Sequence, residues 1–177
     1  MEITTDRIKK YLSDLSEELR QKGIMGEILI VGGAAMMLSF NARISTKDID
    51  AVFKPEKEMK DSVFDVGIKN SLEPGWLNDA VKVYISTEEF KKNIVLKFDN
   101  LNVYVPEPHY LLAMKILSMR AEKTSTDIED IRTLIKNLEL KSPEEIIDIV
   151  RRYYPREEIS RKTIIALEEI LAKVFES

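Results

Sequence analysis

The chain has 177 residues, 44% hydrophobic and 33% charged, with 27 Lys and Arg against 31 Asp and Glu for a net charge of −4. That balance suits one globular domain, or a domain with a helical extension, and runs against a dedicated nucleic-acid binder with a basic face. There is no Cys and a single His, which excludes disulfides, thiolate metal sites, a Cys nucleophile and any multi-His metal centre.

The first ten residues have neither an apolar stretch nor a small-residue cleavage site, so no signal peptide is expected. The uncharged stretch Ile28 to Asn41 is too short to cross a bilayer. A soluble cytoplasmic protein with no membrane partner is expected. Residues 4–22 place Ile8, Leu12, Leu15 and Leu19 at helical spacing, and Gly23 ends that helix. Residues 27–31, Glu27 followed by the continuous apolar run Ile28 to Val31, suit a buried strand. Gly32-Gly33 breaks it, and residues 34–40 have the composition of a short helix.

Residues 48–53 alternate as a strand, with Ile49, Ala51 and Phe53 on one face and Asp48, Asp50 and Val52 on the other. Pro55 stops it, and a charged helix over 56–70 should turn Met59, Val63, Val66 and Ile68 inward. Glu73-Pro74-Gly75 is a turn, and residues 76–84 suit helix or strand equally. Residues 94–98 and 101–105 alternate around Asp99-Asn100, a two-residue hairpin signal. From Glu107 the pattern is helical, with helices expected over 108–121, 127–138, 143–153 and 157–175. Thr126 to Glu129 and Ser142 to Glu145 both fit a capping box. The expected fold is α/β (α+β): a small mixed sheet with helices over residues 1–106, then a helical region over 107–177 packing on it. The cleft between two such parts is a natural place for a ligand.

Asp48 and Asp50, two apart on a strand, point the same way with Cα atoms about 6.5–7 Å apart. Paired acids raise each other's pKa, and a hard divalent cation such as Mg²⁺ removes that cost. The same spacing suits a solvated edge strand, or Asp48 capping a turn. Gly32-Gly33 sits between a strand and a helix, where glycine lets a phosphate approach the backbone and the helix start offers free N–H groups. It also suits a tight turn with no ligand. If the two strands are neighbours, the carboxylates and the glycines face one cleft.

Val31-Gly32-Gly33-Ala34-Ala35, followed by Arg43-x-x-Thr46-Lys47-Asp48-Ile49-Asp50, resembles the signature of the nucleotidyltransferase superfamily, with its polymerase β-like fold. A second block, Glu107-x-x-Tyr110-Leu111-Leu112-Ala113-Met114-Lys115 with Arg120 and Asp127-x-x-Asp130-Ile131, is similar to the helical segment of the AbiEii-type abortive-infection and toxin branch and its minimal relatives. Trp76-Leu77-Asn78-Asp79 also looks like a segment of those relatives. The resemblance covers roughly residues 28–135. It implies Mg²⁺- or Mn²⁺-dependent transfer of a nucleoside monophosphate from an NTP to a hydroxyl of RNA (a tRNA, for example), protein or a small molecule. Asp48 and Asp50 would be the metal ligands, Gly32 and Gly33 would hold the triphosphate, and Arg43 and Thr46 would support that loop. It also implies a toxin with a possible antitoxin partner. The chain departs from the pattern in having Gly-Gly where the superfamily often has Gly-Ser. The hairpin offers Asn102 and the turn residue Asp99 where active members add a third carboxylate, and Asp79 is a possible substitute. That departure favours an alternative, a catalytically inactive nucleotidyltransferase-fold binding module or partner protein. A third option leaves Asp48 and Asp50 merely exposed on a scaffold.

In the helical region Lys115 lies on a largely apolar face, so it either snorkels to water or meets a buried anion, a phosphate or an Asp. It is a candidate nucleotide-binding residue. Asp127 suits a helix start, and Arg120, Lys123, Asp127 and Asp130 could link the helices as a charge network. His109, Trp76 and the basic-aromatic run 151–156 read as a surface or capping residue, a core or cleft-wall residue and a solvated helix end.

Overall fold

The computed structural model describes residues 2–119 and 125–175. The chain divides into two compact units, Met1–Ile85 with Lys92–Pro106, and Ser86–Lys91 with Glu107–Ser177.

In the first unit the elements run β1 (Ile3–Thr4), α1 (Thr5–Gln21), β2 (Gly26–Ile30), α2 (Gly32–Phe40), β3 (Ser45–Thr46), β4 (Ile49–Lys54), α3 (Glu56–Lys69), β5 (Leu77–Asn78), a 3₁₀ turn over Ala80–Tyr84, β6 (Lys92–Lys97) and β7 (Leu101–Pro106). Thr4 caps α1 by accepting from the Arg7 N–H, and Ile8, Leu12, Leu15 and Leu19 form its buried stripe. The mixed sheet has the order β5-β4-β2-β7-β6. β2 pairs antiparallel with β4 and parallel with β7, so the two strands expected to be neighbours are neighbours. Ile28, Ile30, Ile49, Ala51, Phe53, Val103 and Val105 are buried on one face, while Glu27, Leu29, Asp50, Val52, Asn102 and Tyr104 are half-buried on the other. The hairpin closes at Asp99-Asn100, where the Phe98 N–H donates to the Leu101 carbonyl at 2.9 Å. Asn100 ties that turn down by donating its amide to the Ile24 carbonyl and its N–H to Ser16 Oγ.

Helix α3 corrects one expectation. Met59 and Val66 are buried and Val63 half-buried, but Ile68 is 65% exposed. Two residues beyond Val66 is about 200° around a helix, so Ile68 turns to the opposite side. Ser62 and Gly67 complete the buried face instead. A methyl group at Gly67 would sit 3.2 Å from Trp76 Nε1, so the small residue admits the indole. Trp76 is a core residue: its Nε1 donates to the Val63 carbonyl at 3.2 Å, and its ring meets Tyr11 edge-on at 5.7 Å.

The second unit contains α4 (Pro108–Ser118), α5 (Ser125–Asn137), α6 (Pro143–Tyr153) and α7 (Arg161–Phe175). The capping box at Ser142 and Glu145 is formed in both directions. Helix α5 begins at Ser125, one residue before the Thr126 at which its start was expected. The expected end of α4 at 121 lies outside the described residues. Helix α7 starts at Arg161 rather than 157, because Ser160 Oγ accepts from the Thr163 N–H at 3.2 Å and so provides the cap there. The run 151–156 is not simply a solvated helix end. Tyr153 is 1% exposed and donates to Glu107 Oε1 at 3.0 Å, and the Tyr154 hydroxyl donates to that of Tyr110. Burial first, then Tyr110, pushes the Tyr154 hydroxyl up, and burial then Glu107 raise Tyr153 to about 12. Phe90 stacks on Tyr110 at 3.8 Å and the Ser86 N–H donates to the Tyr110 hydroxyl, which is why Ser86–Lys91 clusters with these helices. Among the described residues no helix is long and apolar enough to cross a membrane.

Candidate functional site

Strand β2 delivers the chain to Val31, whose N–H donates to the Asp50 carbonyl at 2.9 Å. The start of α2 therefore lies directly across from Asp50. Gly32 and Gly33 are the first two residues of that helix rather than a turn before it. The first-turn N–H groups of a helix have no partner within it and favour negative charge. Gly32 has φ +63°, and a methyl group there would lie 2.9 Å from Asp50 Oδ2. Glycine is thus required twice, by the left-handed backbone and by the carboxylate beside it.

Gly33 sits against two other residues named from sequence. A methyl group on it would meet Arg43 Nη1 at 2.9 Å and Thr46 Oγ1 at 3.1 Å. Thr46 is held by a ladder that sequence reasoning missed: β3 pairs antiparallel with β1, Thr46 opposite Ile3. Two-residue strands have no periodicity to detect, although the buried Ile3 anchors this one.

Asp50 is half-buried within β4, whereas Asp48 is exposed one residue before that strand begins. The two aspartates carry hard carboxylate oxygen, the donor type that Mg²⁺ selects, and the missing Cβ atoms of the glycines let Asp50 Oδ2, Arg43 and Thr46 approach the start of α2 closely. The Asp50 carboxylate beside a helix start is the kind of donor that a divalent cation with a phosphate ligand takes. Asn78, in register with Asp50 on the parallel strand β5, donates from Nδ2 to Asp50 Oδ1 at 3.2 Å. The residue was quoted from sequence only as part of a segment, since an Asn beside a strand carries no motif of its own.

The other acids are placed differently. Asp79 sits 2.9 Å from Lys60 Nζ and 3.5 Å from Lys82 Nζ. The hydrogen bond from Lys60 holds its carboxyl below the ordinary range, and Glu56, bonded to the same two lysines, is lowered likewise. Glu56 and Asp79 in turn hold the Lys60 ammonium well above its ordinary value. Glu27 shares the open face of the sheet but is four residues from Val31, about 13 Å along the strand. Asn102 is in register with Glu27, at the same remove, and Asp99 is at the hairpin turn. Among the described residues no group of three or more His, Cys, Asp or Glu is placed to hold a metal ion.

Lys115, on α4, meets a protein anion: its Nζ is 2.8 Å from Asp127 Oδ1 and 2.8 Å from Asp130 Oδ2. Of the two sequence alternatives, a buried partner rather than snorkelling describes it. Arg120 and Lys123 lie outside the described residues.

A family described as "Nucleotidyltransferase of unknown function (DUF6036)" matches residues 7–174. Among solved structures, the chain is similar to an antigenic nucleotidyltransferase-like protein from Paracoccidioides brasiliensis, at 18% identity, covering 100% of each chain with a TM-score of 0.49. No curated protein matches the chain in sequence.

Proposed function

The chain belongs to the nucleotidyltransferase family of unknown function that matches residues 7–174, and we propose that it moves a nucleoside monophosphate from an NTP to a hydroxyl of RNA, protein or a small molecule. The observation that carries this reading is the Asp50 carboxylate set against the glycine-built start of α2. Asp48 and Asp50 would hold Mg²⁺ or Mn²⁺, which when bound supplies charge neutralisation at the phosphates and a template for in-line transfer. Gly32 and Gly33 would seat the triphosphate on the first-turn N–H groups, with Arg43 and Thr46 behind Gly33. Asp79, held ionised by Lys60, is a weak base. Catalysis therefore leans on positioning and charge stabilisation rather than on strong base chemistry.

A second reading, an inert nucleotide-binding module or partner protein, is favoured by the absence among the described residues of a three-acid group. Labelled NTP with Mn²⁺ separates the two. An enzyme transfers label to RNA or protein, or releases pyrophosphate; a module binds without transfer. Mg²⁺-NTP at 100 times its Kd should stabilise either by about 2.7 kcal/mol, and no stabilisation by any NTP removes both. Asp48→Ala/Asp50→Ala should abolish binding or transfer with the fold intact by circular dichroism; full activity in that variant would eliminate the site. The toxin role implied by the AbiEii-type likeness predicts that expression arrests bacterial growth and that the double substitution relieves it.

A further inference from the structure

Asn78 makes two side-chain hydrogen bonds whose directions constrain each other. The Ala80 N–H lies 2.9 Å from Asn78 Oδ1, and an N–H can only donate, so the carbonyl end of the amide faces Ala80. The NH₂ end is then turned to Asp50 Oδ1 at 3.2 Å. The other oxygen, Oδ2, is the one that lies against Gly32. The strand register puts Asn78 directly beside Asp50, so the contact is built by the sheet and not by a mobile side chain.

We propose that Asn78 is a positioning residue which pins Asp50 Oδ1 and so presents Oδ2 to the glycine start of α2. Asn78 acts through Asp50 and touches no reacting atom. Its use in holding a metal–nucleotide rests on the function proposed above; the pinning itself does not. Partners that orient metal-binding carboxylates typically account for about 10- to 100-fold in metal affinity or activity.

Asn78→Asp is the informative change. It has the same shape and still accepts from the Ala80 N–H, so the turn keeps its cap, but it sets a carboxylate oxygen against Asp50 Oδ1. Asp50→Asn/Asn78→Asp reverses donor and acceptor and restores the bond. Urea unfolding in EDTA should show a lower midpoint for Asn78→Asp, with most of the loss recovered in the double variant relative to the sum of the singles. A wild-type midpoint for Asn78→Asp, or strict additivity, overturns the pinning. This arm involves neither metal nor nucleotide, so its failure leaves the proposed function standing. In the second arm, Mn²⁺ affinity is read from the free-ion electron paramagnetic resonance signal. Asn78→Ala should bind Mn²⁺ about 10- to 100-fold more weakly than wild type, and Asn78→Asp, which adds an acid, more tightly than Asn78→Ala. Unchanged Mn²⁺ affinity in Asn78→Ala reduces Asn78 to a turn cap and overturns the proposal. Wild-type protein that binds no Mn²⁺ refutes the metal-dependent reading and the functional half of this proposal, while the stability cycle still decides the geometry.

Discussion

Each of the two units sets lysines against carboxylates, and each does so in a different solvent environment. In the first, Lys60 and Lys82 bracket Asp79 at the surface, with side chains 47%, 48% and 26% exposed. In the second, Lys115 is 9% exposed and Asp130 1%. Exposed pairs are screened by water and salt and contribute little, whereas buried charges are tolerated only while each has its partner. The charge of Lys115 is therefore bound up with the fold of its own unit, while the contacts of Asp79 open at small cost. Two residues named together from sequence as site candidates thus have different energetic standing.

The largest expected effect breaks the buried cluster. Lys115→Met removes one partner of the buried ion pair with Asp130, and removing one partner of such a pair costs about 3–5 kcal/mol. Urea denaturation measures it, and adding Asp130→Asn should recover part of the loss. A change below about 1 kcal/mol would place Lys115 with the surface pairs. Gly32→Ala comes next: a left-handed residue with a side chain costs about 1–2 kcal/mol, and its methyl would press on Asp50 Oδ2. Its midpoint should fall between those of the two charge clusters, and its nucleotide affinity should drop. Asp79→Asn should be the mildest at neutral pH. Lys60 lowers the folded pKa of Asp79 below the ordinary 3.8. As pH falls below 3.8 the unfolded chain takes up the proton first, so the contribution of Asp79 is present above that value and disappears on passing down through the folded pKa. The stability gap between wild type and Asp79→Asn, followed from pH 7 to 3, should shrink in that direction; a gap that widens on acidification would reverse the assignment of Lys60 as the cause.

The pairing of Gly32-Gly33 with Asp50 rested on one topological step, adjacency of two strands, and β2 and β4 are adjacent. Arg43 and Thr46, taken from family resemblance, do lie against Gly33. Asn78 was missed as a partner of Asp50, since its bond depends on the register of β5, a two-residue strand in a segment with no clear periodicity. Ile68 faces outward because its angular position on α3, not its hydrophobicity, decides, and the buried face holds Ser62 and also Gly67, which lies against Trp76.

Local physics sufficed for the apolar stripe of α1, α6 with its Ser142 capping box, the Asp99-Asn100 turn and the alternation of β4, because each depends on spacings of a few residues that side-chain chemistry enforces within one segment. Tertiary structure alone decided which oxygen of Asp50 faces Gly32, which residue bonds the other, and that Lys115 meets two aspartates rather than water. Those contacts join residues 12 to 28 positions apart, and their geometry is fixed by strand register and helix packing, which no single segment encodes.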